Sequence, residues 1–597
     1  MSEEYVKVWD LESIFPGGGN GEKFQDFLVD IEQETNIFAD LVAHFDPTVV
    51  EPSSGSHLEK IIQTYEELQV KSREASAYIS CLHAQNTKDT TAQMLVGKRS
   101  TIQAHIAAVK TKLDQQLALI SDDTWEECLQ TEALQPIAFV LNEYRNSADE
   151  KMAEEQEVLM NDLAVDGYHG WSQMYDALVG SMEVEIEEDG KKVSYSVGQA
   201  ANKLSHPDRA FRKHVSEVLG SAWQEKAQLF SQTINHLAGF RLASYKHRGW
   251  DHVLKEPLDD NRMQKETLDA MWGAIEEAKT PFVRFLHKKA ELLQVDKLAI
   301  YDIGAPIYSS SSTFEFTEAA SFIMNHFNTF SPKMAQFAKE AFEKGWIEAE
   351  DRANKRPGGF CTSFPYSKQA RIFMTYSGSA SNVATLAHEL GHAYHQSIMS
   401  GMNGLNQRYA KNVAETASTF AEMIIADASV KDATTKEEKI SLLATKIQRS
   451  IAFFMNIHAR FLFEERFYKE RKEGLVSVDR LNSLMEEAQR EAYQDAIENT
   501  DPTFWASKLH FHKTSDPFYN FPYTFGYLFS LGIYAKAQEE GSSFEDQYIE
   551  LLKDTGRMST EELAEKHLQV DLTKRDFWSK AIQLCVDDVE EFLTLVE

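Results

Sequence analysis

The chain has 597 residues, 43% hydrophobic and 26% charged, so it can bury several cores and by length allows about four domains. Its 93 acidic against 61 basic side chains leave a net charge of −32, which repels nucleic acid and anionic membranes and excludes both as main partners. No stretch reaches the ~18 apolar residues of a membrane span, and Met1–Asp10 lacks a basic, then apolar, leader; a cytoplasmic protein is expected.

Proline is scarce, and 58–135 and 366–501 contain none, which permits long helices. Leu58, Ile61, Ile62, Tyr65 and Leu68 recur at helical spacing, as do Ile102, Ile106, Val109, Leu113 and Leu117. Residues 49–56, rich in serine with a proline and a glycine, read as a loop between opening helices. Residues 1–175 are read as a helical N-terminal region and 176–597 as the region that carries the chemistry. Strand patterns are few. Residues 182–197 alternate on either side of Asp189-Gly190, as a hairpin does, and 358–364 followed by 371–376 predicts a second small sheet. The strand at 371–376 either lends its edge to an extended peptide or only braces the helix that follows. Cys81, Cys128, Cys361 and Cys585 lie far apart without a CxxC pair and are read as free thiols. The expected fold is mainly α, with one or two small sheets.

That next helix carries His388-Glu389-Leu390-Gly391-His392, the HExxH arrangement of zinc peptidases. At 3.6 residues per turn the two imidazoles share a face, and Glu389, about 100° round, stands beside the metal as a base rather than a ligand. Val383, Leu386, Leu390, Ala393 and Tyr394 form the opposite, packing face. A third ligand is still needed. Past the turn at 401–404, Glu415 and Glu422 lie seven residues apart in a segment of small residues that allows close helix approach, and spacing does not choose between them. His395 lies on the face of His388 and His392, but about 10.5 Å along the axis from His388, and reads as a supporting or cleft residue or an ordinary surface histidine. Two histidines and a glutamate suit one Zn²⁺ ion.

Between Phe504 and Tyr534, 11 of 31 residues are aromatic against 11% for the whole chain, which marks a dense core or a lined cleft. His510, His512, Tyr519, Tyr523 and Tyr527 in this stretch are candidate donors to a developing oxyanion.

His388-Glu-Leu-Gly-His-Ala-Tyr-His395, Val413-Ala-Glu-Thr-Ala-Ser-Thr-Phe420, Phe518–Ser530 and Thr555–Lys566 together resemble the oligoendopeptidase F branch of the thimet oligopeptidase family. The resemblance runs from about residue 180 to the C-terminus. It implies a bilobed helical zincin-type fold with the metal deep in a substrate channel, and cleavage of short peptides by a zinc endopeptidase. It selects Glu415 as third ligand beside His388 and His392, and places a transition-state tyrosine at Tyr527. The family's second tyrosine falls where this chain has Thr524, with Tyr523 adjacent; its upstream histidine matches His510 or His512. Glu389 is then the general base. A zinc exopeptidase and a catalytically silent helical peptide-binding protein are the rival readings.

Overall fold

The computed structural model describes residues 4–53, 55–188, 190–308 and 313–597, the side chains of Glu154 and Ser542 apart. Met1-Ser2-Glu3 of the opening segment, Ser54 of the loop after the first helices and Asp189 of the hairpin turn lie outside the described residues.

The fold is mainly α with two small sheets, as the patterning predicts. Helices α1 (Glu22–Ala43), α2 (His57–Gln85) and α3 (Thr90–Ala118) open the chain. Ser56 and Asp89 start α2 and α3 by accepting hydrogen bonds from first-turn amides. The apolar stripes read from the sequence face one another, and residues from Trp9 to Leu141 build one hydrophobic core. Phe24, Phe38 and Leu68 are fully buried there, each contributing on the order of 2 kcal/mol by burial. Strands β1 (Glu183–Glu188) and β2 (Lys191–Ser196) form the predicted antiparallel hairpin, with Glu183 opposite Ser196. The long α4 (Arg209–Arg248) then enters a second, larger core that runs from Tyr175 to Leu593.

The second sheet holds β3 (Ile347–Glu348), β4 (Phe360–Phe364) and β5 (Gln369–Phe373) in the order β3-β5-β4. This corrects the expectation that the strand near 371–376 offers its edge to a peptide. β5 is the central strand, parallel to β3 and antiparallel to β4, and the amides of Met374 and Tyr376 donate to Glu348 and Ala349. Among the described residues the outer side of β4 has no backbone partner, whereas the chain after β3 bonds to the Lys7 carbonyl.

The opening helices hold this sheet and the loops around it. Phe364, Phe373 and Leu405 pack into the first core. Glu66 of α2 accepts from the Gly404 amide at 2.8 Å and Asn403 Nδ2 at 2.7 Å, and buried Glu74 accepts from the Tyr366 amide at 3.0 Å and from Ser367. Arg371, fully buried, donates to the Asp10 carbonyl. The segments on both sides of the HExxH helix are therefore anchored to α2 and the N-terminus.

Candidate metal centre and its surroundings

Helix α5 (Ala380–Met399) carries the motif and is started by Ser379, whose hydroxyl accepts from the Asn382 amide at 3.2 Å. Val383, Leu386, Leu390, Ala393 and Tyr394 are buried, so the opposite side of the helix presents His388 and His392. The second partner, α6 (Thr416–Asp432), begins one residue after Glu415, which sits at a break following a short turn of helix over Lys411–Ala414. Glu415 is therefore a helix-start residue, not one in mid-helix, and the free amides there favour its negative charge. Gly391 makes the approach possible. A Cβ at this position would lie 2.6 Å from Ser418 Cα and against the Ala417 carbonyl, so only glycine lets α5 and α6 touch.

The three side chains converge. Glu415 Oε2 is 3.3 Å from His388 Nε2 and 3.5 Å from His392 Nε2, and the imidazoles are nearly perpendicular with centroids 4.8 Å apart. Donors held about 2.0–2.1 Å from one ion in a tetrahedron stand about 3.4 Å apart, so these spacings fit Zn²⁺. The chemistry fits as well. Burial lowers both histidines, His392 to about 4, leaving neutral imidazoles with free lone pairs. Burial opposes ionisation of Glu415, but in the acid range where it titrates the two histidines, as they take up protons, and the Ser418 hydroxyl, 2.7 Å from Oε2, outweigh it and hold the carboxyl below its usual range.

The choice left open between the glutamates has a geometric answer. Glu422, two turns along α6, accepts from His388 Nδ1 at 3.0 Å and pairs with Arg449 of α7 (Lys436–Ile451). It orients the ring from behind. The spacing that made it a rival ligand is what puts it there; Arg449, from a separate helix, left no sequence signal.

Glu389 stands beside the cluster, 8% exposed, and burial pushes its carboxyl up to about 7. Gly359, at the entrance to β4, adjoins it; a Cβ there would lie 3.5 Å from Glu389 Oε1. The same edge strand thus runs past the candidate base. Tyr409, stacked on His395 at 4.4 Å, lines an open cleft of about 760 Å³ between the two cores, with Tyr144 on one side and Asp260 and Arg262 on the other.

The other expected site residues divide. Helix α8 (Phe521–Glu540) meets Glu415 at Gly526, where a Cβ would be 2.9 Å from Glu415 Cβ. Residues near Gly526 on that face turn toward the site, and the next residue points elsewhere. Tyr523, one turn earlier, is half-buried, feels the charge of Glu415, and donates to the Tyr519 hydroxyl at 3.2 Å. Tyr527 does not join it. Its ring is stacked on Phe453 and its hydroxyl bonds Ser450 Oγ at 2.9 Å and lies 3.6 Å from Cys585 Sγ, which makes it a core side chain and corrects the expectation of a transition-state tyrosine there. His512 is corrected too. It is fully buried, bonded to Thr233 Oγ1 at 2.8 Å and the Trp505 carbonyl at 3.1 Å, and stacked on Tyr175. His510 instead stacks on Tyr519 at 4.7 Å, at the edge of the site. His395 is neither a cleft nor a surface residue. It is buried beneath α5, with Nε2 2.9 Å from Thr555 Oγ1, because close packing of the following helices covers that end of the face.

A helical fold that brings two neutral imidazoles and an ionised carboxylate to one point, with a buried carboxyl alongside, defines a metallopeptidase centre. The model of Peptidase family M3 matches residues 203–584, and that of Oligopeptidase F matches 116–183. The chain belongs to peptidase family M3 and is a metallo-endopeptidase. It is 21% identical to an oligoendopeptidase F homolog of Lactococcus lactis over 99% of this chain and 97% of that one, and 19% identical to oligopeptidase PepF of Bacillus subtilis over 99% and 88%. Among solved structures, a chain from Chlamydophila abortus superposes with a TM-score of 0.85 at 18% identity, covering 99% of this chain and 98% of that one. Oligoendopeptidase-F from Enterococcus faecium gives 0.71 at 16%, covering 96% and 99%. Among the described residues no helix is long and apolar enough to cross a membrane.

Proposed function

We propose that this chain is a zinc-dependent endopeptidase of short oligopeptides, with His388, His392 and Glu415 as the metal ligands. The observation that carries the reading is the spacing of the three donor atoms, which matches the edges of a zinc tetrahedron. Zinc, when bound, supplies Lewis acidity that polarises a carbonyl and makes water acidic near pH 7. The chain's own groups do the rest. Glu389 accepts the proton of the attacking water and returns it to the leaving amine. Glu422 and Arg449 hold the His388 ring, and Tyr523, whose long bond to Tyr519 is easily exchanged, donates to the developing oxyanion. The β4 edge beside Gly359 pairs with the substrate backbone. The N-terminal region, residues 1–175, closes the other side of the cleft and restricts entry to short peptides. Four free cysteines suit a reducing cytoplasm.

Product mapping on a mixed-length peptide pool tests the reading. Internal cuts confined to short peptides, on substrates with both ends blocked as well as free, are expected; release of terminal residues alone would overturn it.

A further inference from the structure

The Tyr519–Tyr523 pair leads into a wall of positive charge that the reading above does not use. The ammonium of Lys411 lies over the Tyr519 ring at 3.5 Å and that of Lys513 at 4.1 Å. Arg460 reaches His510 Nδ1 at 3.3 Å and Asn520 Oδ1 at 2.9 Å, and shares the Phe504 ring with Lys508 at 5.2 and 4.9 Å. All four cations are half-buried, as a cleft wall is; Arg460 touches His510 and the charges of the three lysines reach it. Burial first, and then the charges of Arg460, Lys513, Lys508 and Lys411, lower that histidine to about 4.

Little in the protein balances them. Asp516 pairs with Lys411 at 3.2 Å and also feels the charge of Lys513, and Asp501, which accepts from Thr503 at 2.8 Å, feels that of Lys508, yet neither forms an ion pair with Lys513 or Lys508. Burial pushes the Glu464 carboxyl up to about 8, which disfavours the charge that would offset Arg460. Among the described residues no carboxylate lies within 4.0 Å of Arg460, Lys508 or Lys513 as an ion-pair partner, in a chain of net charge −32. Half-buried like charges repel and are poorly hydrated, a cost that an incoming anion removes.

We propose that Lys513, with Lys508 and Arg460, binds a carboxylate of the substrate peptide, and that this charge sets where the peptide is cut. The inference rests on the peptidase reading. Tyr519 precedes Gly526, the point of contact with Glu415, by seven residues. Phe521 to Gly526 rise about 7.5 Å along α8 and Tyr519 stands two residues before the helix begins, a reach of roughly three extended residues, so the carboxylate sits about three residues from the bond cleaved. An Asp or Glu side chain and the free C-terminus both supply this group.

The test uses zinc-loaded full-length protein and quenched fluorescent peptides of one length. One series carries a single Asp or its Asn counterpart at successive positions with an amidated end; another carries no acidic side chain and ends in a free acid or an amide. Wild type should favour the carboxylate-bearing member, in one series or both, by about 10-fold in kcat/KM, through KM, when the charge is about three residues from the cut. In Lys513→Gln, and independently in Lys508→Gln should the first variant misfold, that ratio should fall toward one. Kd values measured on Glu389→Gln should show the same preference. The same ratio in wild type and both variants, or none in wild type, overturns the proposal. Wild type that cuts no peptide sinks the peptidase reading instead, while the Kd ratio still decides the carboxylate site.

Discussion

Replacing Gly391 by alanine probes the contact on which the metal centre depends. Its added methyl would stand 2.6 Å from Ser418 Cα and 2.8 Å from the Ala417 carbonyl carbon. Carbon atoms pack at about 3.5–4.0 Å, so α6 must withdraw by about 1 Å, and backbone on the far side offers no flexible tip to swing away. Overpacking of this kind costs about 1–3 kcal/mol. The more telling effect is on the ligands, since Glu415 opens α6 and moves with it. Metal sites tolerate about 0.2 Å in ligand distance, and a shift of about 1 Å should weaken zinc on the order of 100-fold. Competition with a chromophoric chelator gives the zinc affinity, and thermal unfolding with and without metal gives both terms. The variant should melt lower in the metal-free state and gain less than wild type when zinc is added. Wild-type zinc affinity in a folded Gly391→Ala protein would refute the claim that this contact sets the ligand geometry.

Four further outcomes are expected. Glu415→Ala should lose zinc almost completely, whereas Glu422→Ala, which frees the back of His388, should lose about 10–100-fold in affinity; the reverse ranking in a metal-content assay makes Glu422 the ligand. Tyr523→Phe should lower kcat by about 10–1,000-fold with zinc content intact, while Tyr527→Phe should cost about 1 kcal/mol of stability and little kcat; steady-state kinetics showing the opposite pattern would return the oxyanion role to Tyr527. Glu389→Gln should keep zinc and lose about 10²–10⁴-fold in kcat, and near-normal turnover would remove Glu389 as the base. Asp554, buried beneath α5, accepts from His567 at 2.7 Å, Lys566 at 2.6 Å and Arg557 at 2.7 Å; although burial opposes it, these bonds hold its carboxyl below the ordinary 3.8. Its folded-state value is depressed, so its contribution is complete above about pH 5 and declines as pH falls through 3.8 toward the folded value. The Tm gap between wild type and Asp554→Asn should therefore be widest near neutrality and shrink in acid; a gap that widens on acidification contradicts this.

Much of the fold was legible because long proline-free stretches and 3.6-residue apolar repeats report local structure, as in α2 and α3, and because the alternation around Gly190 fits only a hairpin. His388, His392 and Glu389 were legible for the same reason, since one helix fixes their relation. What failed depended on tertiary packing. The hydrogen-bonded neighbours of β5 come from β3 and β4, a pairing no local pattern states. His395 shares a face with the ligands, but the segment around Leu552 and Thr555 covers it. His510 and His512 are two residues apart, yet one faces the cleft and the other the core of α4. Tyr527 follows the glycine that touches Glu415 and is turned about 100° from it, so its motif position and its hydroxyl's surroundings disagree.

The most direct test of the account is chelator-stripped protein restored with one equivalent of Zn²⁺, compared with stripped protein and with zinc-loaded Glu389→Gln, on a peptide pool read by mass spectrometry. Internal cleavage of short peptides that appears only in the restored wild type is the predicted result. Cleavage that survives in the metal-free protein or in Glu389→Gln would contradict it.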